Sequence, residues 1–448
     1  MIGEATIKKI FDYILCKSKA SETQIIFHGE HSFLTRFANS VVHQNVMEKN
    51  RRLSIKTVMG KKIGEATTSS LKKTDLMRLL EKSMGIAKCG KDNPDYCGLP
   101  TNREQRDIET YFRATHFFSQ IKKVNIIKDI IKTGRPFQCF GTFTTGSTEI
   151  AIGNSKGLFA YNKGTDAEFR LTIRGKNGSA SGQCANRNIE KMDFVRLKNE
   201  VHKKTKMAQN PKNIKPGRYT VLLTPEAVRE LIGFLGFLGF NSLLHSERRS
   251  CLSGKLGKKI FNKRFSLFDA PLDRRGFAFP FDFEGVPKKK LLLVDKGIVR
   301  NLVYDRHTAS KEGKRSTGHF INPATGPIPL HLVIKRGKKS YKKMVKKITS
   351  GIEITTFHYV NVVEPRSLLL TGMTRNGTFM IKNGEIAYPL KNLRFNQSVL
   401  DAFKNIISIS REARLVGGGN FYGPRFPLGS ILPFITIEDF NFTGMTGF

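Results

Sequence analysis

The run FDFEG at 281–285 sets two carboxylates, Asp282 and Glu284, two residues apart. In an extended strand they share one face while Phe281 and Phe283 point the other way, the arrangement of a paired-carboxylate acid/base site. The same residues also suit a strand ending in a glycine turn, whose carboxylates accept backbone or arginine hydrogen bonds. Asp305, Arg306 and His307, followed by Ser316, Thr317 and Gly318, form a second polar cluster to which residue type alone assigns no reaction. His245, Glu247 and Cys251 are near enough in sequence to meet on a metal, but Arg248 and Arg249 make that stretch electropositive, a poor place for a cation. The ten histidines include no HExxH and no close pair at ligand spacing. No GxxxxGK[ST] occurs, and GFLGFLGF at 233–240 lacks the lysine and hydroxyl of a phosphate loop. Its glycines, three apart, suit a helix that packs closely against its neighbours.

These residues need a scaffold. Ile7, Ile10, Phe11, Ile14 and Leu15 make one apolar stripe, so a helix opens the chain. Strands are expected at 23–29 and 33–37 around a polar turn, and at 52–57 and 64–68 around a turn at 59–62. A helix capped by Thr74 turns Leu76, Leu79, Leu80, Met84 and Ala87 inward. The polar segment 88–100 breaks the pattern and marks a possible sub-boundary. Further helix over 110–133, strands around 143–159 and 167–173, and a basic helix over 193–208 follow. NPKNIKPGR at 210–218 reads as a linker. Beyond it, short β-like runs alternate with glycine turns. The expected fold class is α+β: a mixed helix/sheet N-terminal region, 1–215, then a mostly antiparallel β domain, 216–448.

The chain carries 76 Lys+Arg against 37 Asp+Glu, a formal charge of +39. Its 34 Phe exclude wholesale disorder, and six cysteines without CxxC spacing exclude a disulfide scaffold. They read as free thiols in a cytoplasmic protein. The longest greasy stretch, 231–244, is glycine-interrupted and shorter than the roughly 18–20 residues of a membrane span, so no membrane association is expected. Such a charge draws nucleic acid, yet the lysines lie without interleaved aromatics. In 340–348, for example, Lys342, Lys343, Lys346 and Lys347 oppose Tyr341, Met344, Val345 and Ile348, a solvated helix face.

Seven segments in order resemble the signatures of the TldD/PmbA family: TRFANSVVHQN (35–45), IAIGNSKGL (150–158, with Asn154), PGRYTVLLTPEAV (216–228), SGKLGKKIF (253–261), FDFEGVP (281–287), YDRHTASKEGKRSTGH (304–319) and NGTFMIKNGEIAYPL (376–390). The resemblance implies polar signature roles for Asn154, Asp282, Glu284, Asp305, Arg306 and Thr317. It also implies a zinc metallopeptidase in which the catalytic subunit binds metal through HExxxH and a later Cys, paired with a related metal-free subunit. Here Gly233 and Leu238 stand where the histidines would be, Phe234 replaces the general base, and the Cys position falls in 419–423, which has none. No His lies between His202 and His245 to restore the site. The implied role is therefore that of the non-catalytic PmbA (TldE) type: no metal in this chain, zinc in a TldD-like partner, and an extended or unfolded peptide as the shared substrate. A basic nucleic-acid-binding or regulatory protein and a homodimeric scaffold are the alternative readings.

Overall fold

The computed structural model describes residues 1–101, 107–418 and 424–446. The first half builds one antiparallel sheet from β1 (Glu22–Ala38), β2 (Val41–Met59), β3 (Lys62–Thr68), β4 (Gln138–Asn154), β5 (Phe159–Arg174) and β6 (Ser179–Asn186), in the order β3-β2-β1-β4-β5-β6. Helices α1 (Glu4–Lys17), α2 (Lys73–Cys89), α3 (Arg113–His116), α4 (Gln120–Gly134) and α5 (Phe194–Met207) accompany it. The stripe predicted for α1 is what it buries: Ile7, Phe11 and Ile14 pack with Ile25, Phe27, Leu53, Ile55 and the α2 leucines.

The second half holds an 11-stranded sheet: β7 (Gly217–Leu223), β8 (Leu267–Asp269), β9 (Leu291–Asp295), β10 (Ile298–Val299), β11 (Leu332–Ile334), β12 (Ser350–Glu364), β13 (Leu369–Lys382), β14 (Glu385–Pro389), β15 (Leu393–Ser398), β16 (Ile406–Gly417) and β17 (Gly429–Met445). It is mostly antiparallel, with parallel pairings among the described residues at β7–β12 and β11–β17. Because β17 pairs with both β15 and β7, the strands β7, β12, β13, β15 and β17 close into a ring. Closure pairs each of those strands on both sides over part of its length, which suits so apolar a core. Helix α6 (Pro225–Gly239) lies on this core, and the short α7 (Ser242–Ser246), α8 (Arg306–Lys311), α9 (Tyr341–Val345) and α10 (Val399–Lys404) fill the connections. The α+β class holds in both halves.

Several local expectations change. The polar residues Glu30, His31 and Ser32 do not turn the chain; β1 runs unbroken through them, paired to Asn50, Lys49 and Glu48. The helix expected over 110–133 divides because Ser119 caps a fresh start, its hydroxyl accepting the Lys122 amide. Helix α2 begins one residue before Thr74, and Ser70 donates its hydroxyl to Asp75 instead. Helix α9 is only five residues, but its lysines face water and Met344 and Val345 are buried, as the pattern required. The linker residue Lys212 is held by Pro389 and Lys391 through backbone hydrogen bonds.

Arg425 ties the two halves together. Buried, it grips the Asp166 carboxylate with two guanidinium nitrogens, Nε at 3.0 Å, and its amide donates to Glu30 at 2.5 Å. His28 closes on the Arg425 carbonyl at 3.0 Å. Gly146 lies beneath; a Cβ there would come within 2.4 Å of the guanidinium, so only glycine leaves room. Arg425→Met should destabilise the chain by about 3–5 kcal/mol because it strands the buried Asp166 carboxylate. Urea denaturation measures this, and the double variant with Asp166→Leu should regain part of the loss.

Candidate functional site

Five of the six signature residues, Asn154, Asp282, Glu284, Asp305 and Arg306, assemble where the halves meet, positioned by turns and a helix cap. Asp282 does not lie in an extended strand opposite a substrate. It closes a turn: Oδ1 accepts the Glu284 amide at 3.0 Å and the Val286 amide at 2.9 Å, and Oδ2 accepts the Phe320 amide at 3.0 Å. Gly285 takes φ +86 to complete it. Asp305 caps α8, receiving the Thr308 amide and hydroxyl at 2.7 Å each. Asn154 closes the β4–β5 turn, its Oδ1 accepting the Lys156 and Leu158 amides, and its Nδ2 donates to the Pro100 carbonyl at 2.8 Å. Arg306 donates to the carbonyls of Gly98 and Cys97.

Asn154 from one half and Arg306 from the other therefore hold the same segment, residues 96–100. Glu22 completes the grip, accepting the Tyr96 hydroxyl at 2.5 Å and the Leu99 amide at 2.8 Å, with Lys156 at 3.1 Å. Glu284 sits beside it. Burial, then the Asp282 charge, raises its carboxyl, against the pull of Lys56 and Arg306. Burial also raises Asp282, opposed by its three amide bonds, and lowers Lys56. The Cys97 thiol is pushed up by burial, so it is a poor nucleophile. This is a paired-carboxylate arrangement in chemistry but a clamp in geometry: the carboxylates of Asp282 and Glu22 are occupied by the protein's own donors, and Glu284 Oε2 faces the Arg306 amide at 3.4 Å.

Thr317 belongs to a different cluster, one the sequence reading missed. Its Oγ1 lies 2.9 Å from His319 Nδ1, and His319 Nε2 lies 2.8 Å from Asp269 Oδ2. The hydroxyl is spoken for, because it accepts the Tyr304 amide at 2.8 Å and donates to the Tyr304 carbonyl. His319 and Asp269 are wholly buried. Asp269 Oδ1 accepts the His331 amide, and although burial opposes it, interaction with His319 brings the carboxyl down to about 2. Among the described residues His307 bonds to neither cluster, whereas Lys288, buried nearby, acts electrostatically on Asp269 and Asp282. Only the pairing of distant strands brings Asp269, His319 and His331 together, so no short motif announces them.

The metal candidates separate. Glu247 pairs with Arg249 at 2.8 Å, and burial pushes the Cys251 thiol up to about 12. Among the described residues no three His, Cys, Asp or Glu converge as a metal cage. On α6, Gly233 is exposed, while Phe234 and Leu238 pack against the core. The loop positions 419–423, where the resemblance sets a Cys, lie outside the described residues.

The His331 ring is buried with neither nitrogen bonded among the described residues. Burial first, then Lys288, lowers its pKa from 6.5 to about 3. The unfolded chain takes up this proton below pH 6.5 and the folded one does not, so stability is full above 6.5 and drains away as pH falls toward 3. His331→Leu should flatten that limb by up to about 1.4 kcal/mol per pH unit. Urea midpoints from pH 7 to 4 check it; superimposable profiles would refute it.

Comparison with known proteins agrees with this architecture. The family profile described as "PmbA/TldA metallopeptidase C-terminal domain" matches residues 216–444. A metalloprotease of Methanothermobacter thermautotrophicus is 27% identical over half of this chain and half of its own length. The metalloprotease PmbA homolog of Haemophilus influenzae is 24% identical over 80% of this chain and 81% of its own. The structure of TldE from Thermococcus kodakarensis superposes with a TM-score of 0.87 at 19% identity, covering 98% of this chain and 99% of that one, and so shares its fold. With its matched half and end-to-end fold in agreement, the chain belongs to the PmbA/TldD metallopeptidase family.

Proposed function

We propose that this chain is the metal-free, PmbA-like member of a peptidase assembly, comprising units 1–215 and 216–448, that works in the cytoplasm beside a zinc-bearing TldD-like homologue. The carrying observation is helix α6. At the positions where the resemblance sets two histidines and a glutamate stand Gly233, Leu238 and Phe234, none able to bind zinc or take a proton. Phe234 and Leu238 instead support the core of the second half. The signature residues Asn154, Asp282, Glu284, Asp305, Arg306 and Thr317 then serve as positioning residues. Asn154 and Arg306 hold residues 96–100 across the seam while Asp282, Asp305 and Thr317 fix the turns of the second half beside it, the frame on which a shared peptide chamber would rest.

Extended or unfolded peptides suit such an assembly, since main-chain hydrogen bonds hold them without regard to sequence. Zinc would be supplied by the partner. No helix among the described residues is long and apolar enough to cross a membrane. The purified chain should contain no stoichiometric zinc and cleave no unfolded peptide alone. Mixed with a family homologue that carries HExxxH, it should yield cleavage that a chelator abolishes. Elemental analysis and a peptide assay decide the matter, and stoichiometric zinc with chelator-sensitive cleavage by the isolated chain would overturn it.

A further inference from the structure

A cleft of about 660 Å³ opens where the two halves flank the linker, and it shares no residue with the clamp on 96–100. The β5–β6 turn and the chain that follows α5 form one wall; β13, the β14–β15 turn and Thr446 form the other. The walls are tied together. The Ser179 hydroxyl donates to Asn376 Oδ1 at 2.8 Å, and Lys212 bonds through its backbone to Pro389 and Lys391. The cleft is therefore preformed, and its volume falls in the range of small-molecule sites.

Its charge is one-sided. Arg174, Lys176 and Lys391 line it, and no Asp or Glu among the described residues does. Composition does not impose this, because a cleft of about 910 Å³ elsewhere sets Glu4, Asp107 and Glu109 beside Lys163 and Arg274. Nor are the cations neutralised within the fold. Lys176 and Lys391 form no ion pair among the described residues, and Arg174 donates to the neutral Gln138 at 2.8 Å. Asn177, Asn210, Asn376 and Asn392 join the lining. Oδ1 of Asn376 is taken by Ser179 and Oδ1 of Asn210 by Asn177, which leaves both Nδ2 groups as donors without an acceptor among the described residues.

We infer that this cleft binds a small phosphorylated, hydroxyl-rich molecule with the chemistry of a sugar phosphate. Three cations with no carboxylate to compete suit a phosphoryl group, which carries close to two negative charges at neutral pH. Asparagine amides donate to hydroxyls and accept from them. A nucleotide fits less well, since no aromatic ring among the described residues lines the cleft to stack on a base. The inference stands apart from the zinc-partner reading, because it concerns ligand binding by the chain alone.

Isothermal titration calorimetry of the full chain tests it, with glucose 6-phosphate as the probe. One molecule should bind per chain, and glucose alone should not bind. Inorganic phosphate and ATP should each bind at least about tenfold more weakly, the first for want of sugar hydroxyls and the second for want of a stacking ring. Lys176→Glu and Lys391→Glu, at exposed positions whose side chains make no bond among the described residues, should each cut affinity at least about tenfold. Lys342→Glu, exposed on α9, should leave it unchanged, which separates the cleft from the long-range field of the whole charge. Failure of the sugar phosphate to bind would overturn the inference. So would binding that both cleft variants leave intact, or that inorganic phosphate or ATP matches.

Discussion

A guanidinium buried between two sheets is the constraint on which the rest of this structure depends. Arg425 has no water to solvate it, so its charge must be met by carboxylates placed within hydrogen-bond reach. Asp166 of β5 meets the guanidinium while Glu30 of β1 accepts the Arg425 backbone amide, which fixes the approach to β17 against the face of the first sheet. Arg187 repeats the device in the opposite direction. From the first half it donates to Thr165 at 2.9 Å and to the Ala278 carbonyl of the second half. With two cations crossing the seam in opposite senses, sliding one sheet over the other would leave buried charges unpaired. The seam is therefore a register as well as a contact, and the clamp on residues 96–100 is built on it.

What the sequence showed follows from the range of each interaction. The α1 stripe and the basic face of α9 were legible because helix faces are set by residues three and four apart. The unbroken course of β1 was not. Glu30, His31 and Ser32 read as a turn, yet Glu30 is satisfied by Asn50 at 2.7 Å and by the amide of Arg425, far away in the chain. The same holds at the site. FDFEG and the Asp305–Arg306 pair were visible as motifs, and their glycine-turn reading agrees with the bonds that Asp282 makes. Glu22, Asp269 and His331 carry no local signature, because each acts only after strands distant in sequence have met.

Net charge illustrates the difference between composition and placement. The excess of +39 is spread over exposed lysines such as those of α9, whereas the cations that shape the fold are few and buried. Lys123 is an example: its ammonium lies 3.1 Å from the Thr145 hydroxyl and near the rings of Phe33 and Phe143, and burial brings its pKa down to about 7. Surface lysines set how the chain meets other molecules at long range. Buried ones set which conformation it can hold.

Helix α6 joins these two themes. A metal-bearing helix must turn imidazoles toward an open, wet cleft, and the same helical face cannot then support an apolar core. In this chain the helix faces the core: Leu231, Ile232 and Leu235 are fully buried, with Phe234 and Leu238 packed beside them. Gly236 and Gly239 let the helix settle closely, since a Cβ at either would come within about 3.0 Å of a leucine methyl. The apolar side chains of α6 thus make the helix a rigid support for the ring of strands beneath it, and the seam rests on that support.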